Sequence, residues 1–147
     1  MKLLLILSLL LFVGCSKSVE SYDNNKTYFK THFYPADDSG IKNKNDVSNQ
    51  KYPLIFLFGG SEGGMWFDSS NETKTLRAKG YHVVTVGYFD MEGLPKDLNS
   101  INLNGFKKVL DEYKDYPSVD SESMGVIGVS KGGELVLLLG SLYQKVA

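Results

Sequence analysis

The sequence predicts an α/β fold in which a mostly parallel sheet is flanked by helices. Apolar runs at residues 53–58, 82–89 and 124–129 are short and rich in β-branched and aromatic side chains, as is typical of buried strands. The segments between them, 66–79 and 103–115, have the length and the apolar spacing of helices. Strands that alternate with helices in this way favour a parallel sheet with helices on both faces.

The remaining segments complete this pattern. Residues 28–34 are rich in aromatic side chains and predict a further strand, while the polar residues 35–50 predict a loop. Residues 90–104 predict a second loop with room for one helical turn, and residues 117–123 predict a turn. A last helix, apolar along much of its length, is predicted to open at Ser130.

The composition restricts the possible functions. The chain has 147 residues, of which 42% are hydrophobic, and this suits one folded domain. Its net charge of −1 gives no support for a nucleic-acid partner. The glycine-rich segment 59–64 is not followed by the Lys and Ser or Thr of a phosphate-binding loop, and it lacks the glycine spacing of a dinucleotide site. We therefore expect no cofactor and no metal.

The N-terminus predicts export. Residues 1–14 combine a basic start with an apolar run at 3–13 that is shorter than the roughly 20 residues of a membrane-spanning helix, as in a signal peptide. Cys15, the only cysteine, stands where a bacterial lipoprotein is cleaved and lipidated, although an ordinary signal peptide with an incidental cysteine is the alternative. We predict a lipoprotein anchored through Cys15 at the periplasmic or extracellular face, a polar tether at 15–27 and a partial catalytic domain at 28–147.

The strongest motif of the sequence is Gly-Val-Ser-Lys-Gly at residues 128–132. It lies between a predicted strand and a predicted helix, the context of a nucleophile elbow, in which a sharp turn exposes the serine hydroxyl. Ser130 is then the nucleophile, Gly128 and Gly132 leave room for the turn, and the backbone N–H of Lys131 donates to an oxyanion. The alternative is a tightly packed glycine-rich turn without chemistry, and the side chain of Lys131 is expected to face solvent.

A second oxyanion donor is predicted after the first apolar strand. Residues 59–61 (Gly-Gly-Ser) allow the backbone to approach a substrate carbonyl closely, and the N–H of Gly60 or of Ser61 is the candidate donor. A flexible turn without function is the alternative reading of this segment.

Several motifs in order carry a resemblance to a known family. They are residues 57–64, 76–81, 87–89, 93–96 and 125–135. Over its last two thirds the chain resembles the C-terminal domain of the bile acid-CoA:amino acid N-acyltransferase and acyl-CoA thioester hydrolase family. The resemblance implies an α/β-hydrolase fold with a cysteine or serine nucleophile, an aspartate and a histidine. It assigns the nucleophile to Ser130, implies a small acyl ester or thioester as substrate, and favours hydrolysis over acyl transfer.

The sequence does not supply the expected partners of Ser130. In this fold the acid and the histidine follow the nucleophile, yet residues 131–147 contain neither Asp nor His. His82 at the start of a strand and His32 near the N-terminus are poor candidates for the base, and Asp90 and Glu92 suit a loop-capping or substrate-facing role better than that of triad acid. We therefore expect the N-terminal portion of a hydrolase; the alternative is a non-catalytic lipoprotein remnant or ligand-binding domain.

Overall fold

The computed structural model describes residues 29–37, 50–62 and 65–143. The strands are β1 (Lys30–Tyr34), β2 (Tyr52–Phe58), β3 (His82–Gly87) and β4 (Val119–Gly128). The helices are α1 (Asn71–Ala78), α2 (Leu103–Lys114) and α3 (Lys131–Leu142), and single 3₁₀ turns lie at Met65–Phe67 and Leu98–Ser100. The predicted signal peptide, Cys15 and the tether lie outside the described residues.

The four strands form one sheet in the order β1-β3-β2-β4. The central strand β2 runs parallel to both β3 and β4, whereas β1 is antiparallel to β3. Phe58, near the end of β2, is level with Val86 in β3 and with Gly128 in β4. The C-terminal ends of three strands therefore meet at one edge of the sheet, where ligands bind in open sheets of this kind.

Helices cover both faces of the sheet, as predicted. Leu54, Phe56 and Phe58 of β2 belong to a buried cluster that also contains side chains of α2 and α3. The alternate residue Leu57 packs on the opposite face with Val83 and with Leu76 of α1. Because side chains alternate between the faces of a strand, the continuous apolar run of β2 fills both cores.

The prediction for the last strand is wrong in two respects. Residues 117–123 were expected to form a turn, but β4 already begins at Val119. An irregular register, in which Tyr52 faces Val119 and Leu54 faces Met124, accommodates the extra residues of β4. The strand was also expected to be buried, yet Ile127 is 43% exposed. Within the described ranges β4 pairs only with β2, so one of its edges is not covered by a strand.

The predicted helix at 66–79 is interrupted. Ser69 adopts a positive φ of 56°, and α1 starts after Ser70, whose hydroxyl accepts a hydrogen bond from the N–H of Thr73 at 3.2 Å. The predicted helix at 103–115 is confirmed as α2, and the last helix begins at Lys131, with Ser130 as the preceding cap residue. Among the described residues no helix is both long and apolar enough to cross a membrane.

Candidate active site

Ser130 has the backbone geometry of a strained turn. Its φ of 54° and ψ of −119° lie in a region that residues other than glycine rarely adopt. The residue stands between the end of β4 and the start of α3, and it is exposed. Strain of this kind costs roughly 1–3 kcal/mol and persists only where the surrounding structure enforces it, which is common at active sites.

Two glycines permit the turn, because no side chain would fit at either position. A Cβ atom on Gly128 would lie 2.2 Å from the carbonyl oxygen of Gly132. A Cβ atom on Gly132 would lie 2.2 Å from the carbonyl oxygen of Gly59 and 2.4 Å from that of Phe58. The start of α3 therefore packs directly against the backbone that leaves β2, and the two glycine-rich loops are in contact.

Lys131 follows Ser130 and contributes a backbone amide to the start of α3, while its side-chain ammonium group is paired with a carboxylate. Its N–H belongs to the first turn of α3, where amides have no acceptor within the helix. The Nζ atom lies 3.0 Å from the Glu134 carboxylate, so the ammonium group is paired on the helix surface. The backbone N–H of Lys131 therefore has no acceptor within α3, whereas its side chain is engaged with Glu134.

The loop after β2 lies against Ser130. A Cβ atom on Gly60 would be 3.3 Å from the Cβ atom of Ser130. The N–H of Gly60 donates to Glu62 Oε1 at 2.5 Å, so this amide already has a charged acceptor. Of the two amides predicted as second donor, that of Ser61 is the one without this carboxylate contact. Gly63 and Gly64, the remaining glycines of the motif, lie outside the described residues.

Tyr88 anchors this loop to the buried core, a role that no sequence pattern predicted. The residue follows β3 and is fully buried. Its hydroxyl donates to the carbonyl oxygens of Gly59 at 2.8 Å and of Gly60 at 3.0 Å. Burial, together with the charges of Glu62 and Glu134, raises the pKa of Tyr88 to about 12. A hydroxyl-bearing residue at the end of a buried strand was the available signal, because a buried phenol requires a partner.

His82 is committed to a structural role. Its Nδ1 atom accepts the Ala36 N–H at 2.8 Å, and Nε2 therefore carries the proton that it donates to the Ser118 carbonyl at 3.0 Å. His82 is level with Met124, four residues before Gly128 along parallel strands, or about 13 Å from the edge that carries Ser130. It cannot reach the serine hydroxyl.

His32 is also distant from Ser130. It lies on β1, three strand spacings or about 14 Å from β4, and its Nδ1 atom donates to Asp68 at 2.9 Å. Burial alone would raise the pKa of Asp68, but hydrogen bonds from Tyr34, His32 and Thr85 outweigh this effect and lower the pKa below its usual value. The pair belongs to a polar cluster beside α1.

Asp90 has a loop-capping geometry, which is one of the two roles that were expected of it. Its φ is +50°, its N–H donates to the Pro95 carbonyl at 2.7 Å, and its carboxylate lies 3.7 Å from Lys96 Nζ. Glu92 is exposed in the same loop. These contacts close the loop after β3, and within the described ranges no group of three or more His, Cys, Asp or Glu side chains could hold a metal ion.

A cavity of about 240 Å³ adjoins the elbow. It lies beside α3 and the segment that leads into α2, and its polar lining consists of Tyr88, Asn99, Lys131 and Glu134. Its apolar lining consists of Leu98, Ile101, Leu103, Leu135 and Leu138. The volume is below the roughly 300–1,000 Å³ of drug-sized ligand sites, so it suits a short apolar group.

The sequence relatives agree with the predicted resemblance. Acyl-coenzyme A thioesterase 6 of Homo sapiens is 35% identical over 91 residues, which cover 62% of this chain and 21% of the relative. Acyl-coenzyme A thioesterase 3 of Mus musculus is 33% identical over 93 residues, covering 63% of the chain and 21% of the relative. The chain thus spans about a fifth of the length of these relatives. No protein-family model matches it.

Solved structures agree with the architecture. A complex of DcsB with its substrate analogue superposes with a TM-score of 0.59 at 18% identity, covering 80% of this chain and 38% of the other. The α/β hydrolase GrgF from Penicillium sp. sh18 superposes with a TM-score of 0.57 at 13% identity, covering 81% and 43%. At these identities the likeness concerns the fold. The chain has part of an α/β-hydrolase fold, and its similarity to acyl-CoA thioesterases is confirmed.

Proposed function

We propose that this chain carries the nucleophile and the oxyanion donors of a serine hydrolase that cleaves small acyl esters or thioesters. The observation that carries the proposal is the strained backbone of Ser130, with φ at 54°, in a turn packed so closely that its flanking glycines have no room for a Cβ atom. A turn that only connected a strand to a helix would not require this strain at an exposed serine.

The proposed reaction proceeds through an acyl-serine. The Ser130 oxygen attacks the acyl carbon, its proton passes to a base, and the carbonyl oxygen becomes an oxyanion between the N–H groups of Lys131 and Ser61. Collapse of this intermediate breaks the bond to the alcohol or thiol, which leaves with a proton from the base. Water then attacks the acyl-serine and releases the carboxylic acid and the free serine.

The apolar cavity beside the elbow supports an acyl group as the part of the substrate that is recognised. Lys131, the residue after the nucleophile, contributes to its wall, and its remaining lining is dominated by leucine and isoleucine. An acyl chain bound there would have its carbonyl carbon near Ser130. The acyl-CoA thioesterases that this chain resembles support a thioester as one option.

The base of this reaction is neither of the two histidines in the sequence. His82 and His32 are engaged with Ser118 and Asp68, both away from the edge of the sheet that carries Ser130. The mechanism therefore requires a base that neither of these histidines supplies. The same observation favours a second candidate function, in which the domain binds an acyl ligand without turning it over.

Labelling with a fluorophosphonate probe separates the two functions. In the whole protein we expect the probe to modify Ser130, as identified by mass spectrometry of the labelled peptide, and Ser130→Ala to abolish labelling. Ser141→Ala, which removes an exposed serine hydroxyl further along α3, is the matched control and should label normally. A folded protein that binds a fatty acid but resists the probe would support the binding function and contradict the hydrolase.

We also propose that the protein is exported and anchored to a membrane through a lipid on Cys15. The support is the sequence of residues 1–18 alone, in which a basic start, an apolar run and a small residue precede the cysteine. Because acyl-CoA is a cytoplasmic metabolite, an exported enzyme would act on another ester or thioester. Metabolic labelling with a palmitate analogue should mark the unmodified protein but not Cys15→Ser. Ser16→Ala is the control and should be labelled normally. Equal labelling of all three proteins would contradict the anchor.

A further inference from the structure

The Tyr88 hydroxyl contacts two successive carbonyl oxygens of the loop beside Ser130. The Tyr88 hydroxyl lies 2.8 Å from the carbonyl oxygen of Gly59 and 3.0 Å from that of Gly60. A phenol has a single proton to donate, so the two carbonyls share it in a three-centre hydrogen bond. Two successive peptide groups are thereby tied to one point in the core.

This contact determines where the amides of the loop point. The C=O and N–H of a trans peptide point in opposite directions, and the described residues contain no cis peptide bond. With the carbonyls of Gly59 and Gly60 directed at Tyr88, the N–H groups of Gly60 and Ser61 must point away from it. The Gly60 N–H meets Glu62 Oε1 on that side, as this geometry requires.

We propose that Tyr88 is a positioning residue that sets the oxyanion hole: its hydroxyl orients the loop so that the Ser61 N–H faces the carbonyl oxygen of an acyl group on Ser130. The proposal rests on the hydrolase function proposed above. Gly60 lies within contact distance of Ser130, since a Cβ atom on it would be 3.3 Å from that of the serine. A small rotation of this peptide would therefore move the donor relative to the reacting carbon.

The surroundings of Tyr88 keep it a donor. Its ring packs in an aromatic core, 6.1 Å from Phe58 and 5.2 Å from Phe89 between ring centroids, so the ring alone could be replaced by phenylalanine. Burial and the charges of Glu62 and Glu134 raise the pKa of its hydroxyl to about 12. The phenol therefore stays protonated throughout the pH range in which hydrolases work.

Tyr113 provides a matched control for Tyr88. It is also a buried tyrosine, it packs 5.9 Å from Phe56 between ring centroids, and burial raises its pKa. Its hydroxyl donates to Thr31 Oγ1 at 2.9 Å, away from the loop. Tyr88→Phe and Tyr113→Phe each remove a donated hydrogen bond from a buried phenol, but only the first removes contacts to Gly59 and Gly60.

The test combines hydrogen exchange with the rate of probe labelling in the whole protein. In Tyr88→Phe we expect faster amide exchange over residues 57–62 and labelling of Ser130 slowed about tenfold or more, because complete removal of an oxyanion donor costs about 10²–10³-fold and a misplaced donor loses part of that. Tyr113→Phe should leave both unchanged. For a chromogenic ester, Tyr88→Phe should lower kcat while KM stays within about twofold, since the donor acts in the transition state.

The outcomes separate this proposal from the proposed function. Unchanged exchange over 57–62 in Tyr88→Phe, or equal slowing of labelling in both variants, would overturn the positioning role. If the unmodified protein itself resists the probe, the hydrolase function fails, while the exchange measurement still decides whether Tyr88 fixes the loop.

Discussion

The two glycine-rich loops at the edge of the sheet are held by different means. The elbow at 128–132 is shaped by its own residues, because Gly128 and Gly132 have no space for a side chain and Ser130 carries the strain. The loop at 59–62 is held by Tyr88, which lies in a different strand connection. A loop of the first kind can be recognised from residue spacing, whereas the second depends on contacts between distant parts of the chain.

The largest loss of stability should come from adding a side chain where the loops at 59–62 and 128–132 meet. In Gly132→Ala the new Cβ atom would lie 2.2 Å from the Gly59 oxygen and 2.4 Å from the Phe58 oxygen. Both atoms belong to the backbone at the end of the central strand, so neither can move without disturbing the sheet. We expect the free energy of unfolding, measured in urea, to fall by about 3 kcal/mol.

Gly140→Ala is the control for that substitution. Gly140 lies in the same helix, and nothing lies within 4 Å of a Cβ atom placed there. Alanine is the better helix former, so this variant should be more stable by about 0.5–1 kcal/mol. A similar loss of stability in both variants would show that the contact between the two loops does not constrain the fold.

The next largest effect on stability should come from ionisation of Tyr88, whose hydroxyl holds the loop at 59–62. The pKa of Tyr88 is raised from 10.0 to about 12, so the folded state holds the proton more tightly than the unfolded state. Its contribution to stability is complete below pH 10 and is lost as the pH rises to about 12. Over that window the free energy of unfolding should fall by roughly 2–3 kcal/mol more in the unmodified protein than in Tyr88→Phe.

Tyr113→Phe again supplies the reference, now for the alkaline titration. Burial and the charges of Glu112 and Tyr116 raise the pKa of Tyr113 too, but its hydrogen bond with Thr31 lowers it. Burial, Glu62 and Glu134 all raise the pKa of Tyr88. Urea unfolding of the three proteins between pH 9 and pH 12 should therefore separate Tyr88→Phe from the other two. Identical pH profiles would mean that the hydroxyl of Tyr88 is more accessible to water than its contacts imply.

The strain at Ser130 should appear as a smaller difference in the free energy of unfolding between two variants. Ser130→Gly and Ser130→Ala both lack the hydroxyl, and the cost of the positive φ falls on the alanine variant alone. We expect the glycine variant to be more stable by about 1 kcal/mol, as judged by urea unfolding. At Ser141, within α3, the order should be reversed by a similar amount, because glycine disfavours a helix. An alanine variant as stable as the glycine variant at 130 would contradict the strain.

The same contrast explains how much could be predicted from the sequence. Local patterns predict these elements. Apolar runs predict strands β2 and β3, helical spacing predicts helix α2, and a five-residue motif marks the sharp turn at 128–132. Their signals are strong because the residues that form each element are neighbours in the chain. The parallel direction of β2, β3 and β4 follows from the same alternation, since parallel strands need long connections that are usually helical.

The remaining features depend on contacts that no local pattern contains. The polar residues 120–123 suggest a turn, but pairing with β2 through an irregular register keeps them in a strand. The break before α1 arises from the positive φ of Ser69 and the cap by Ser70. Tyr88 reaches the second loop from a different strand connection, a contact that residue spacing does not reveal.

The smallest effect should come from the charge on Glu62. Glu62→Gln keeps a side-chain oxygen that can accept the Gly60 N–H, but it removes one of the two negative charges that raise the pKa of Tyr88. Unfolding should change by less than about 0.5 kcal/mol, because the side chain is exposed. The pKa of Tyr88, followed by the NMR resonance of its Cζ atom, should nevertheless fall. Glu92→Gln, at another exposed carboxylate, should leave it unchanged; an equal shift in both variants would mean that Glu62 does not act on the loop through its charge.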